Sequence, residues 1–230
     1  ELTEARLRLA EAALAADPLT VVAVGDIDPK VAEKLIKTHF GPLKNPAKPR
    51  PREYAAIPVR SETEAVVITD KEASSDTLLI RYPVQEDIEQ PTFGEYREKL
   101  IEGIFSGILS QRMQELSQQA VPPFIGGASN ISRLTARYKS YTAFAALGKG
   151  GAMPAIDALV QENERARQFG FSAGELDRAK KNLMRFYERA YNERDKTDSA
   201  SYVGEYVRNF LEQESIPGIA NEYRYVQELV

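Results

Sequence analysis

The sequence predicts an α+β fold in which helices pack on one face of an antiparallel sheet. Two observations lead to this prediction: short β-rich runs come in neighbouring pairs, and amphipathic helical stretches follow each pair. A plan of two strands, a helix, two strands and then further helices is typical of α+β domains. We therefore expect one sheet with a helical layer against it.

The first part of the chain reads as a helix, a strand, a helix and a connector. Residues 2–16 are rich in Ala, Leu, Glu and Arg, which favour helix, whereas residues 20–24 are mostly β-branched. The Asp-Pro pair at 28–29 is typical of a helix start, and Gly41 ends the helical pattern that follows. Five prolines between residues 42 and 58 predict an extended connector.

Two pairs of strands and one long helix are predicted beyond the connector. Residues 65–69 and 77–82 read as the first pair of strands, and residues 124–131 and 138–147 as the second. Between the pairs, a long helix should follow Pro91. Its apolar face is expected to hold Tyr96, Leu100, Ile104, Ile108 and Leu109.

Helices fill the C-terminal part of the sequence. One is predicted over about residues 152–169. The next opens at Ser172, and Glu175 three residues later completes a capping box. The buried side of that helix is expected to hold Leu176, Ala179, Leu183, Phe186 and Ala190.

The composition excludes several kinds of catalytic centre. The chain holds one histidine, His39, and no cysteine. Zinc sites draw mainly on His and Cys, and a Ser-His-Asp triad needs a histidine base, so we predict no catalytic or metal-binding residue in this chain. His39 falls in the last turn of a predicted helix, where a cation interacts favourably with the helix dipole, and we interpret it as structural.

Charge and hydropathy exclude two further classes. The net charge is -4 at pH 7 and basic residues are interleaved with acids, which argues against a nucleic-acid partner. No apolar run approaches the length of a membrane-spanning segment. The chain begins inside a predicted helix and without methionine, so we expect a fragment of a longer protein.

Three stretches together resemble the pitrilysin/insulinase family of zinc peptidases, the inverzincins. The stretch TVVAVGDIDPKVAEKLIKTHFGPL at 20–43 resembles the segment that closes the family's first domain before a proline-rich linker. The stretch FSAGELDRAKK at 171–181 resembles the family's (T/S)xxELxRAK helix start. Residues 188–219 are similar to the large four-domain periplasmic members of Gram-negative bacteria. The resemblance covers nearly the whole chain from Thr20 onward.

The resemblance implies a domain organisation and a cofactor. Residues 1–41 would end the preceding catalytic domain, residues 42–58 would be the linker, and residues 59–230 a second, metal-free domain of the mitochondrial processing peptidase/pitrilysin type. Family members bind zinc in the first domain through H-x-x-E-H and a distal glutamate. This sequence has no H-x-x-E-H. We therefore expect no cofactor in this fragment, zinc in the parent's catalytic domain, and the periplasm as the compartment.

A second functional pair of the family can be traced in this sequence. In a partner domain of family members, an Arg and a Tyr seven residues apart reach the substrate and the transition-state oxygen. Here Ser117 stands at the Arg position and Phe124 at the Tyr position. A serine supplies no guanidinium charge and a phenylalanine no hydroxyl. The resemblance therefore implies a degenerate copy without catalytic residues.

Gly126 and Gly127 follow Phe124 in the third predicted strand. Glycine within a strand permits close approach of another backbone, so these three residues are candidate contacts for a substrate peptide that adds to the strand edge. A plain bulge is the simpler alternative.

The favoured hypothesis is a non-catalytic second domain of a zinc metallopeptidase that hydrolyses peptide bonds. It would enclose the cleavage chamber, contact substrate peptide and pack against the preceding catalytic domain. One alternative is a structural or scaffold module of an inactive family relative, and another is an independent peptide-binding domain. An intact H-x-x-E-H upstream would favour the enzyme over the scaffold.

Overall fold

The computed structural model describes three stretches of the chain, residues 20–43, 54–88 and 92–230. The chain divides into two compact units, one drawn from Glu1–Ala55 and Asp195–Ile216 and the other from Ala56–Arg194 and Pro217–Val230. The helix predicted over residues 2–16 and most of the predicted proline connector lie outside the described stretches.

The described residues form six α-helices and four β-strands. In chain order they are α1 (Pro29–Phe40), β1 (Thr77–Arg81), β2 (Gln85–Glu86), α2 (Phe93–Ser117), β3 (Gly126–Thr135), β4 (Tyr138–Ala146), α3 (Ala152–Phe169), α4 (Ala173–Asn192), α5 (Ser199–Glu212) and α6 (Ile219–Leu229). No helix in these stretches has the length and apolar character needed to cross a membrane.

The first unit contains α1 and α5, and both helices begin at an aspartate cap. The Asp28 side chain accepts a hydrogen bond from the Lys30 N–H at 2.8 Å, and Pro29 is the first helical residue. Asp198 accepts from the Ala200 N–H in the same way. The helix start predicted at residues 28–29 is confirmed.

Two predicted strands are wrong. Residues 20–24 and 65–69 form no strand in the structure. β-Branched residues favour a strand only where a neighbouring strand offers a free edge, and the described residues of the first unit contain no strand. In the second unit, Val66, Val67 and Ile68 remain 71%, 88% and 87% exposed.

The second unit is built on a four-stranded antiparallel sheet with β4 at its centre. β1 and β2 pair with one edge of β4, and β3 pairs with the other. The register places Leu79 opposite Phe144, and Ile80 and Ser129 opposite Ala143. Side chains alternate between the faces of a sheet, so Ile80 and Ala143 face the core whereas Leu79 and Phe144 face the other way and are partly exposed.

Helices α2 and α3 cover the core face of this sheet. The buried cluster combines helical and strand residues, namely Met113, Phe124, Ala143, Ala145, Ala155 and Leu159. Burial of these apolar side chains is the main force that joins the two layers. The predicted α+β fold, with an antiparallel sheet and helices on one face, is confirmed.

Helix α4 begins as the sequence predicts but is buried less than expected. Ser172 Oγ accepts from the Glu175 N–H at 3.3 Å, and Glu175 Oε2 accepts from the Ser172 N–H at 2.8 Å, which completes the capping box. The predicted burial is wrong for Leu176 and Phe186, which are 41% and 65% exposed. Beside α4, the neighbouring α2 has glycine at positions 103 and 107, which leave a groove instead of a filled contact.

Candidate functional site

Three helices of the second unit meet at a buried arginine. Arg112 of α2 donates from Nε to Glu175 Oε1 at 2.6 Å and from Nη2 to Glu175 Oε2 at 3.0 Å. Its Nη2 also donates to the Gly170 carbonyl at 3.3 Å, and its Nη1 lies 3.6 Å from Glu162 Oε2. The Arg112 side chain is only 7% exposed. A single guanidinium therefore joins α2, α3 and α4.

The arginine also sets the protonation of its main partner. Its hydrogen bond holds the pKa of the Glu175 carboxyl at about 2, below the ordinary value of 4.5. The same hydrogen bond raises the pKa of the Arg112 guanidinium. Glu175 Oε2 also accepts from the Ser172 N–H and hydroxyl. One carboxylate therefore serves both the ion pair and the cap of α4.

The residues of this cluster do not fit zinc. Zinc sites take imidazole, thiolate and carboxylate ligands and leave no place for a cation among them, whereas Arg112 already pairs with both carboxylates. Within the described stretches, no group of three or more His, Cys, Asp or Glu residues could hold a metal ion. His39 lies in the last turn of α1, which belongs to the other unit.

A groove of about 370 Å³ lies between α2 and α4 beside the arginine cluster. Its apolar lining comes from both helices and consists of Gly103, Ile104, Gly107, Ile108, Ala179 and Leu183. Its polar lining consists of Gln111, Arg112, Glu115, Glu175, Arg178 and Asn182. An apolar floor with a few convergent polar groups is typical of binding grooves.

The two positions of the degenerate Arg/Tyr pair have purely internal contacts. Ser117 Oγ donates to the Gln114 carbonyl at 2.7 Å, within its own helix. Phe124 is 1% exposed and belongs to the core cluster. The Phe124 ring therefore presents almost no surface to a peptide, and a peptide contact at this strand stays a prediction for the neighbouring glycines.

Gly126 and Gly127 differ in their surroundings. A Cβ added at Gly127 would lie 2.9 Å from the Phe124 ring and 3.1 Å from the Phe144 carbonyl, whereas a Cβ at Gly126 would meet nothing within 4 Å. The close approach at Gly127 is thus made by a side chain of the same unit. Space remains beside Gly126, and a peptide contact there stays a prediction.

The middle of β3 is tied to helix α2. The Ile131 N–H donates to Ser106 Oγ at 3.1 Å, and Ser110 Oγ donates to the Ser129 carbonyl at 3.4 Å. These hydroxyls occupy backbone groups that a fifth strand would otherwise need. A peptide that pairs with β3 therefore has to pair with the first residues of this strand.

Sequence reasoning missed the arginine cluster, although a signal was present. Arg112 falls between the buried residues Leu109 and Met113 of α2, and a charged side chain on a buried face requires a partner. The sequence pattern explains Glu175 by the capping box alone. The two residues are 63 positions apart, and local spacing does not reveal such a pairing.

Comparison with known proteins identifies the family. The sequence profile described as the Peptidase M16 inactive domain matches residues 9–183 of this chain. The chain belongs to the M16, or insulinase, family of zinc peptidases. The predicted family is confirmed, and the matched domain is the inactive type.

The curated M16 relatives are much longer than this chain. The "Zinc protease PQQL-like" of Arabidopsis thaliana is 30% identical over 213 residues, which are 92% of this chain and 19% of that protein. The "Probable zinc protease PqqL" of Escherichia coli (strain K12) is 27% identical over 185 residues, which are 78% of this chain and 19% of that protein. The M16 chain described here thus spans about a fifth of the length of these relatives.

Solved structures of other M16 proteins share the fold. The periplasmic protease PqqL from Escherichia coli superposes with a TM-score of 0.76 at 22% identity, covering 90% of this chain and 23% of that one. An insulinase family protease from Yersinia pestis gives a TM-score of 0.73 at 13% identity, covering 90% of this chain and 44% of that one. At these identities the likeness shows the fold alone.

Proposed function

We propose that this chain is a non-catalytic domain of a zinc metallopeptidase that encloses the cleavage chamber, contacts substrate peptide and packs against the preceding catalytic domain. The match of residues 9–183 to the inactive domain of a zinc-peptidase family carries the proposal. We further propose that residues 1–41 end the catalytic domain, residues 42–58 link the two domains and residues 59–230 form the non-catalytic domain.

The arginine cluster supports a structural role for this domain. A hydrolytic zinc site keeps an open coordination position for water. In this chain the carboxylates of Glu162 and Glu175 face a fixed guanidinium instead. Arg112 thereby contributes rigidity between three helices, which suits a wall that holds its shape while the catalytic domain works.

We also propose the periplasm as the compartment. Support comes from the Escherichia coli relative of known structure, which is a periplasmic protease. A chain without cysteine folds without disulfide formation and is compatible with an oxidising compartment.

Metal content and peptide hydrolysis test the non-catalytic assignment. The full-length parent and the 230-residue chain are purified without chelators, and each is analysed for zinc and for cleavage of an unstructured fluorogenic peptide. We expect zinc and chelator-sensitive cleavage in the parent and neither in the isolated chain. Chelator-sensitive cleavage by the chain alone would contradict the proposal. A parent that lacks both zinc and activity would instead support the scaffold alternative.

Photo-crosslinking tests the substrate contact. Benzoylphenylalanine is introduced at Gly126, where an added Cβ meets nothing within 4 Å, in a full-length parent whose zinc has been removed. We expect light-dependent coupling to a labelled substrate peptide. The matched control carries the same amino acid at Lys149, an exposed loop position. Equal coupling at both positions, or none at Gly126, would exclude a peptide contact at the start of β3.

A further inference from the structure

Helix α4 carries an apolar surface that the described residues do not cover. Ala179 and Leu183 line the groove between α2 and α4, and Phe186 follows on the same side of the helix, seven residues after Ala179. The Phe186 side chain is 65% exposed. An apolar stripe that continues from a groove into solvent is typical of a surface that binds a partner.

The opposite wall of the groove lacks side chains at two positions. A Cβ added at Gly103 or Gly107 of α2 would meet nothing within 4 Å. Both glycines lie on one side of the helix because they are four residues apart. A second backbone can therefore come close to α2 here, with its apolar side chains directed toward Ile104 and Leu183.

The outer rim of the groove is basic. Arg178, Arg185 and Arg189 are spaced seven and four residues apart, which places them along one side of α4. Arg178 lines the groove, and none of the three forms an ion pair with another described residue. On the α2 side the lining residues include a single acid, Glu115, which accepts a hydrogen bond from Gln111. The unbalanced charge on the α4 rim attracts carboxylates.

A buried donor beside the groove makes no hydrogen bond to a described residue, although it lies 3.6 Å from Glu162 Oε2. Arg112 lines the groove with its side chain 93% buried (7% exposed), and its Nη1 donates no hydrogen bond to a described residue. Buried polar groups are rarely left without a hydrogen bond. An oxygen acceptor that enters the groove would satisfy this group.

We infer that the groove between α2 and α4 binds an acidic amphipathic helix of a partner protein. Both walls are helices, and an apolar stripe at helical spacing pairs with a matching stripe on another helix. The volume of about 370 Å³ admits side chains and not a whole helix, so the partner would lie across the opening. Its apolar residues would fill the groove and its carboxylates would face the three arginines. This inference goes beyond the proposed function and holds whether or not a peptide contacts Gly126.

Binding of a designed peptide to the full-length protein tests this inference. The probe is a fluorescein-labelled peptide about 18 residues long, since shorter isolated helices are marginal in water. It carries a leucine stripe flanked by glutamates. A second probe has lysines in place of the glutamates, and a third has the same composition in an order without a helical stripe. Fluorescence anisotropy gives each affinity. We expect the first probe to bind at least about tenfold more tightly than the other two.

Variants of the full-length protein locate the binding surface. Gly107→Leu fills the groove and should weaken binding of the first probe by about tenfold or more. Arg178→Glu and Arg185→Glu should each weaken it by about fivefold. Gly94→Leu, in the first turn of α2, and Lys149→Glu, in a loop, are matched controls that should leave the affinity unchanged. Thermal unfolding of each variant checks that the fold is kept.

Three results would overturn the inference. They are equal affinity for the glutamate and lysine probes, equal affinity for the scrambled acidic probe, and unchanged binding in Gly107→Leu. The second result would indicate that the arginines bind any polyanion. Crosslinking at Gly126 reports on a different surface, so failure there and failure here remain distinguishable.

Discussion

The ring of Phe124 lies 2.9 Å from the point where a Cβ on Gly127 would sit. Phe124 is among the most buried side chains of the unit, and it packs with residues of α2, α3 and β4. The Phe124 ring can therefore occupy this position only because residue 127 has no side chain. The pair joins the start of β3 to the core without any polar contact.

Gly127→Ala should therefore destabilise the protein. The added methyl group must displace the Phe124 ring or the Phe144 carbonyl, and such overpacking costs about 1–3 kcal/mol. Urea unfolding followed by circular dichroism measures the change in the free energy of unfolding. Gly126→Ala is the matched control, because its Cβ meets nothing within 4 Å, and it should be nearly neutral. Equal effects of the two substitutions would contradict the packing argument.

Arg112→Ala should be among the most damaging single substitutions in the second unit. It leaves the Glu175 carboxylate partly buried without its cation and leaves Glu162 only its exposed partner Arg165, and breaking such a buried pair costs about 3–5 kcal/mol. Chemical unfolding measures the loss in the free energy of unfolding. Arg165→Ala is the comparison, since Arg165 pairs with Glu162 from an exposed position and surface pairs contribute about 0–1 kcal/mol. A loss at Arg112 as small as that at Arg165 would refute the central role of the cluster.

Glu175 should make the free energy of unfolding depend on pH in the acid range. Its pKa is about 2 in the folded protein and 4.5 ordinarily, so the unfolded chain binds the proton more readily. The stabilisation is complete above about pH 5 and is lost as the pH falls through 4.5 toward 2. Allowing for solvent screening, we expect a contribution of about 2 kcal/mol. The free energy of unfolding from pH 7 to pH 3 measures it, and Glu175→Gln should remove this part of the slope. An unchanged slope in the variant would assign the pH dependence to other groups.

Truncation of two phenylalanines should change the stability by very different amounts. Phe124 is 1% exposed, and Phe124→Ala removes core contacts at a cost of about 3–5 kcal/mol. Phe186 is 65% exposed, and Phe186→Ser should change the stability by no more than about 0.5 kcal/mol. Thermal melting of both variants measures the two losses of stability. A large loss at Phe186 would mean that α4 is covered in solution by a part of the chain beyond the described contacts.

Local signals predicted the starts of helices well. Asp28 with Pro29, and Ser172 with Glu175, supply their hydrogen bonds within three residues of the helix start, so the sequence contains both partners side by side. The second pair of strands was also predicted, because β3 and β4 are joined by a short turn and pair directly with each other.

Features that depend on distant partners were not predicted. The stretches at 20–24 and 65–69 have strand-forming residues, but a strand exists only with a neighbour, which local propensity does not specify. The same limit applies to Arg112 and Glu175, which meet only after α2 and α4 have packed together. For Phe186, helical periodicity indicated an apolar face but not whether another element covers it.

The exposed run Val66–Val67–Ile68 has a consequence for handling the protein. Three consecutive β-branched residues in contact with water form the core of a segment prone to intermolecular β-pairing, and such segments drive aggregation at high concentration. Asp70 follows the run and opposes this by charge repulsion, whereas Glu64, which precedes the run, is paired with Arg60. Asp70→Asn should therefore lower the solubility of the isolated chain without changing its fold. Colloidal behaviour, and not folding stability, would then limit the conditions under which this chain can be studied alone.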